Sequence, residues 1–147
     1  MKIVLFAAMA VFLYALQNVL LEQKLANFNT APILVYVYTA AFPLALVRFG
    51  YLKATGQSIR VPSGMALAIA LLAGVMLFFA DLLYVGAYTS GGNLMTITTI
   101  VVLFPAFASL IRYFWVGGLP NRYQAAGYIL AALAVLLVAK GNAIQTG

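Results

Sequence analysis

The stretch Met65 to Tyr88, MALAIALLAGVMLFFADLLYVGAY, is more than twenty residues of apolar character interrupted by a single carboxylate, Asp81. A run of that length crosses a hydrocarbon core about 30 Å thick as one helix. The charge inside it costs on the order of 2.5 to 3.5 kcal/mol on insertion scales, so it requires a partner, a water-filled cavity or a function. In a helix Gly74, Asp81 and Tyr88 fall seven residues apart and Tyr84 follows the acid by three, so these four residues share one side.

The composition around this stretch agrees with it. Of 147 residues 66% are hydrophobic, and eight basic and two acidic side chains supply all the charge. The mean hydropathy is +1.09. A water-exposed surface cannot be built from so few polar groups, and the chain is expected to be an all-α polytopic membrane protein. Cys and His are absent, which removes disulfides, imidazole acid/base chemistry and the usual transition-metal ligands, and no cofactor is expected. The net charge of +6 comes from residues beside hydrophobic runs and never clusters as a nucleic-acid patch does.

Five runs are long enough to span, with approximate boundaries 3–21, 31–47, 65–87, 94–111 and 124–139. The first follows Lys2 and has small residues for cleavage at Ala7, Ala8 and Ala10, yet it continues apolar to Leu21 with no polar domain after it, so it reads as a retained helix rather than a signal peptide. Tyr14, Asn18 and Glu22 repeat every four residues along it, with Gln17 close by, and form a stripe that faces protein or water. The plainer alternative is helix-to-helix hydrogen bonding by Gln17 and Asn18, with Glu22 wet at the surface beside Lys24.

The second run has Pro32 at its start, where a missing N–H is harmless, and Pro43 near its end, where a kink is expected. Tyr36 and Thr39 share a face with Pro43, and a basic loop with Arg48, Lys53 and Arg60 follows. Between the third and fourth runs lie only Tyr88 to Asn93, with the turn at Thr89 to Gly92 and Asn93 as N-cap, so these helices are expected to be antiparallel neighbours. On the fourth, Thr98, Pro105, Ser109 and Arg112 share a side, and Tyr113, Phe114 and Trp115 form an interfacial belt in which Arg112 snorkels to the headgroups. The fifth places Gly127, Ala131 and Ala134 at close-packing spacings.

From Ala80 onward the sequence resembles the EamA-type repeat of the drug/metabolite transporter superfamily. The likeness lies in Tyr84-Val-Gly-Ala-Tyr88, in Phe104-Pro105 after small residues, in the segment from Gly117 to Gly127 with Gln124, and in a final helix ending at Val138-Ala-Lys-Gly141. Tyr14-Ala15 stands where the family often shows Trp-Gly, and Gly118 replaces the family's common Glu in the loop between helices four and five. The resemblance implies a secondary transporter. Typical members have ten helices in two inverted repeats, with the binding site at the interface of the repeats; this chain supplies one repeat, which implies a second five-helix chain, identical or different, as partner.

Under that reading Asp81 is the coupling-ion site, with Glu22 as runner-up, and Tyr14, Asn18, Tyr84, Tyr88 and Thr98 are candidates for binding a small organic metabolite or drug. An ion pair of Asp81 with Lys24 or Lys140 is the structural alternative. At the level of the whole protein the alternative is a non-transporting assembly or regulatory subunit. An enzyme is not expected, because no nucleophile has a base and no paired carboxylates share a helix.

Five spans place Lys2, Arg48, Lys53, Arg60, Arg112 and Arg122 on one side and only Lys24 and Lys140 on the other. The positive-inside rule then puts the N-terminus in the cytoplasm and the C-terminus outside, in the cytoplasmic membrane, with Asp81 about two turns below the outer end of its helix. A reporter active only in the cytoplasm should therefore signal from the N-terminus and stay silent at the C-terminus. Equal signals from both ends would show dual insertion instead.

Overall fold

A computed structural model describes residues 2–145, with side chains from 3 to 141, so the Lys2 side chain lies outside the described set. All of its regular elements are helices: α1 (Lys2–Leu20), α2 (Thr30–Ala54), α3 (Met65–Thr89), α4 (Leu94–Val101), α5 (Phe104–Val116) and α6 (Arg122–Gln145). They supply five segments long and apolar enough to cross a membrane, with α4 and α5 together forming the fourth, Leu94–Val116. The chain divides into two compact units, Met1–Gly91 and Gly92–Gly147.

Several elements end elsewhere than hydropathy places them. The first helix passes at its C-terminal end into a wider π-helical turn, Leu21–Leu25. The second runs to Ala54 rather than stopping near residue 47, and it continues through Pro43. Its end is fixed by backbone chemistry. The Gln57 N–H bonds to the Leu52 carbonyl at 3.3 Å and the Gly56 N–H to that of Lys53 at 3.2 Å, with Gly56 at φ 67°. That pattern is a Schellman cap, whose left-handed position glycine fills without a Cβ clash. Arg48 and Lys53 are carried within the helix because their aliphatic stems suit an apolar surface while their charged ends reach water.

The fourth span is two helices rather than one. Pro105 offers no N–H to the carbonyl four residues before it. Around it the backbone switches to tighter bonds, Val102 N–H to Thr99 O at 3.1 Å, Leu103 N–H to Ile100 O at 3.0 Å and Ala106 N–H to Leu103 O at 2.9 Å. Asn93 caps α4 as expected, its Oδ1 accepting from the Met95 N–H at 2.8 Å. The last helix begins at Arg122 behind a reciprocal cap: Asn121 Oδ1 accepts from the Gln124 N–H at 2.9 Å, and Gln124 Oε1 accepts from the Asn121 N–H at 3.0 Å. This is a capping box, which satisfies donors that a helix start leaves open.

In the first unit, α2 and α3 pack antiparallel, and the π-helical turn packs on α3. Two hydrogen bonds set the register of the helix pair: Thr30 with Thr89 through their hydroxyls at 2.7 Å, and Tyr38 with Asp81. Eight residues along α2 match eight back along α3, so Leu34 lies opposite Val85 midway between the polar pairs. Both are buried, at 3% and 4% exposure. One further step would pair Phe42 with Leu77, yet these are 64% and 55% exposed, so the helices part beyond Asp81. In the second unit, α4 packs on α6, and Ser109 and Tyr128 join α5 to α6 by a hydrogen bond between their hydroxyls.

The chain has no native cysteine, which makes this register directly testable. Under mild oxidation the Leu34→Cys/Val85→Cys double variant should form an intramolecular disulfide, whereas Phe42→Cys/Leu77→Cys should not. Cross-linking of the second pair and not the first would refute the register.

Candidate functional site

Asp81 is half-buried, and its partner is a residue the sequence reading passed over. Tyr38 Oη donates to Asp81 Oδ2 at 2.6 Å, a short bond of the charge-assisted kind. Lys24 does not supply that partner. Asp81 Oδ1 takes no hydrogen bond among the described residues, so one oxygen of the carboxylate is held and the other is open to a proton or a cationic group. The acid lies about 12 Å along the helix axis from Thr89, one turn beyond the last tightly packed pair, where α2 and α3 separate. Phe78 stands beside the Tyr38 ring, 6.3 Å between centroids, and shields the pair on the side where the helices open.

Successive helix residues advance by about 100°, so the buried face of α3 has two flanks. Asp81, Val85 and Thr89 face α2. Tyr84 and Tyr88 occupy the neighbouring flank, with rings edge to face at 5.5 Å and hydroxyls 3.5 Å apart. Tyr88 is the most enclosed of the large side chains, at 1% exposure. The Leu21–Leu25 turn packs on α3 and carries Glu22, which is half-buried. The Glu22 carboxylate accepts a hydrogen bond from Gln23 Nε2 at 3.3 Å. One turn earlier Asn18 is buried, and no hydrogen bond reaches its amide among the described residues.

Of the residues singled out from sequence, Asp81, Tyr84 and Tyr88 thus share the inward side of α3, and Asn18 and Glu22 lie on the inward side of the first span. Tyr14 is 66% exposed: the stripe it begins turns toward protein only in its last two members. Thr98 belongs to the second unit, and its hydroxyl is committed to the Leu94 carbonyl of its own helix at 2.7 Å. Tyr38 could have been found from the four-residue spacing of Thr30, Leu34 and Tyr38, which mirrors Asp81, Val85 and Thr89, once the two helices were taken as antiparallel.

The chain matches no protein-family model, no curated protein and no solved structure.

Hydrogen bonds between membrane helices average about 0.6 kcal/mol, whereas bonds to a charged group reach about 1.5 to 3 kcal/mol. A double-mutant cycle on Tyr38→Phe and Asp81→Asn, read from unfolding of the reconstituted chain, should therefore give a coupling of about 1.5 kcal/mol. The cycle on Thr30→Val and Thr89→Val should give about a third of that. Equal couplings would mean that the carboxylate does not carry its charge against Tyr38.

Proposed function

We propose that this chain is a small secondary transporter or half-transporter subunit that moves a small organic metabolite or drug, with proton coupling at Asp81. Under this reading it is one EamA-like repeat, resident in the cytoplasmic membrane with its N-terminus inside and C-terminus outside, and it works with a second five-helix chain. The observation that carries the reading is the Asp81 carboxylate, placed within an apolar span and held at one oxygen by Tyr38 while the other stays open. A carboxylate in a membrane helix is expensive, and the bond to Tyr38 occupies only one of its two oxygens. An acid with one free oxygen at the point where two helices part can take up a proton or a cationic group from one side and release it when the gap closes.

The supporting geometry is local. Loading or unloading Oδ1 changes the acceptor strength of the carboxylate and with it the Tyr38 bond that pins α2 to α3. Charge state at one site is thereby linked to helix separation, which alternating access requires. Tyr84, Tyr88, Asn18 and Glu22 supply hydroxyl, amide and carboxylate groups on the adjoining flank, where a substrate with polar and aromatic character would be held. A second chain would provide the opposite wall.

In proteoliposomes carrying the chain with its partner, Asp81→Asn should abolish the dependence of uptake on an imposed pH gradient, and Tyr38→Phe should weaken it. Undiminished, still pH-dependent uptake by Asp81→Asn would remove Asp81 from the mechanism. Absence of uptake in the unaltered preparation under every gradient would favour an assembly or regulatory subunit.

A further inference from the structure

The second unit contains a basic residue that nothing in the unit neutralises. Residues 92–147 include Arg112, Arg122 and Lys140 and no acid, since Glu22 and Asp81 are the only two in the chain. Arg112 makes no hydrogen bond or ion pair among the described residues. It borders two adjoining depressions of opposite character. On one side Phe104, Phe107, Ile111 and Trp115 form an apolar groove along α5. On the other, Ser109, Gly117, Gly118, Leu119 and Gln124 line a polar crevice at the turn into α6.

The polar groups of that crevice are not equally available. The Ser109 hydroxyl is committed to Tyr128, and Gln124 Oε1 to the Asn121 N–H. Uncommitted are the Arg112 guanidinium, the amide nitrogen of Gln124, and the backbone N–H groups of Gly118 and Leu119, which take no hydrogen bond among the described residues. The carbonyls of the same turn are open as well, so it is the guanidinium, the one charged group of the crevice, that selects an anion. Gly117 and Gly118, at φ 76° and 103°, hold the turn in a conformation that side-chain-bearing residues rarely adopt, and the turn lines the same crevice as Arg112. A guanidinium with neighbouring N–H donors is suited to the oxygens of a phosphate.

The groove gives the rest of the ligand. Its residues follow helical spacing along the 13-residue α5, about 20 Å in all, which exceeds one leaflet's share of a hydrocarbon core about 30 Å thick. An acyl chain laid on this stripe keeps its headgroup at Arg112. We infer that α5 and the Gly117–Leu119 turn form a site for an anionic phospholipid, with the phosphate at Arg112 and one acyl chain in the Phe104–Trp115 groove. The site lies within a single unit of the chain and does not rest on the transport reading. An isolated free phosphate would use only the crevice and leave the groove unexplained.

Trp115 is the sole tryptophan of the chain and is 86% exposed on the groove, so its fluorescence reports the lipid directly. The full chain is reconstituted in phosphatidylcholine vesicles containing a small, equal mole fraction of either phosphatidylglycerol or phosphatidylcholine brominated near the headgroup end of the acyl chain. Brominated phosphatidylglycerol should quench as though enriched about fivefold at the groove, the factor that one near-surface basic contact supplies. Arg112→Gln should bring the two lipids level. So should Ala108→Glu, which sets a carboxylate one turn before Arg112 on the same face, while Arg122→Gln should keep the preference. Quenching by brominated phosphatidylcholine certifies in each case that the variant is inserted. Equal quenching by both lipids in the unaltered chain, survival of the preference in Arg112→Gln or Ala108→Glu, or its loss in Arg122→Gln would overturn the assignment.

Discussion

A carboxylate inside an apolar helix must find a donor, and in this chain the donor it finds fixes the geometry of the first unit. Asp81 accepts from Tyr38 Oη at 2.6 Å, and that bond, with Thr30 to Thr89 one helical stretch away, leaves α2 and α3 only one register. Leu34 and Val85 are then buried as a consequence of where the polar groups must meet. In a bilayer, dispersion between apolar side chains would not make this choice, because lipid tails would offer Leu34 nearly the same surroundings as Val85 does. Polar pairs decide the alignment, and apolar packing fills in between them.

The same reasoning explains where the packing stops. Beyond Asp81 toward the Arg48–Gly64 end, α3 carries no polar side chain from Met65 to Ala80 to meet those of α2, and Phe42 and Leu77 are left exposed. The enclosed residues of the unit, Asn18, Leu21, Ile33, Leu34, Val85 and Tyr88, all belong to the opposite half of their helices. A fold pinned at one end and free at the other has a built-in direction for movement, and Asp81 stands at the boundary between the two halves.

How much of this was legible in the sequence follows from what each signal measures. Hydropathy located all five spans, because crossing a hydrocarbon core is a demand on composition. It misplaced the end of α2, because that end is set by a Schellman cap at Gly56, and hydropathy does not register backbone hydrogen bonds. It joined α4 to α5 for the same reason: the six apolar residues from Ile100 to Pro105 hide a proline's missing N–H. Asn93 as N-cap and the shared face of Asp81, Tyr84 and Tyr88 were readable, since both depend on local spacing alone. Tyr38 was not, because recognising it requires knowing which helix lies opposite Asp81, and partner and register are long-range facts. The lysines were the natural partners by charge, yet a phenol on the neighbouring helix reaches the carboxylate without bringing a second charge into hydrocarbon.

Exposed apolar residues say nothing about whether the chain needs a partner, since Leu and Phe lose little by facing lipid. Polar residues do. The Thr30, Thr89, Tyr38, Tyr84 and Ser109 hydroxyls all have partners within their own unit, so the self-contained part of the fold is already satisfied. Asn18 is the exception in the first unit: the residue is 7% exposed and its amide makes no hydrogen bond among the described residues, yet no buried side-chain nitrogen or oxygen among them lacks a partner, so its amide atoms are the part that stays accessible. An accessible amide with no partner in its own chain is free to bind water, a ligand or a second chain. It sits one turn before Glu22 on the first span. In the first unit the polar groups left open to a further molecule are thus the Asn18 amide and the second oxygen of Asp81, and exposed apolar residues add nothing to that demand.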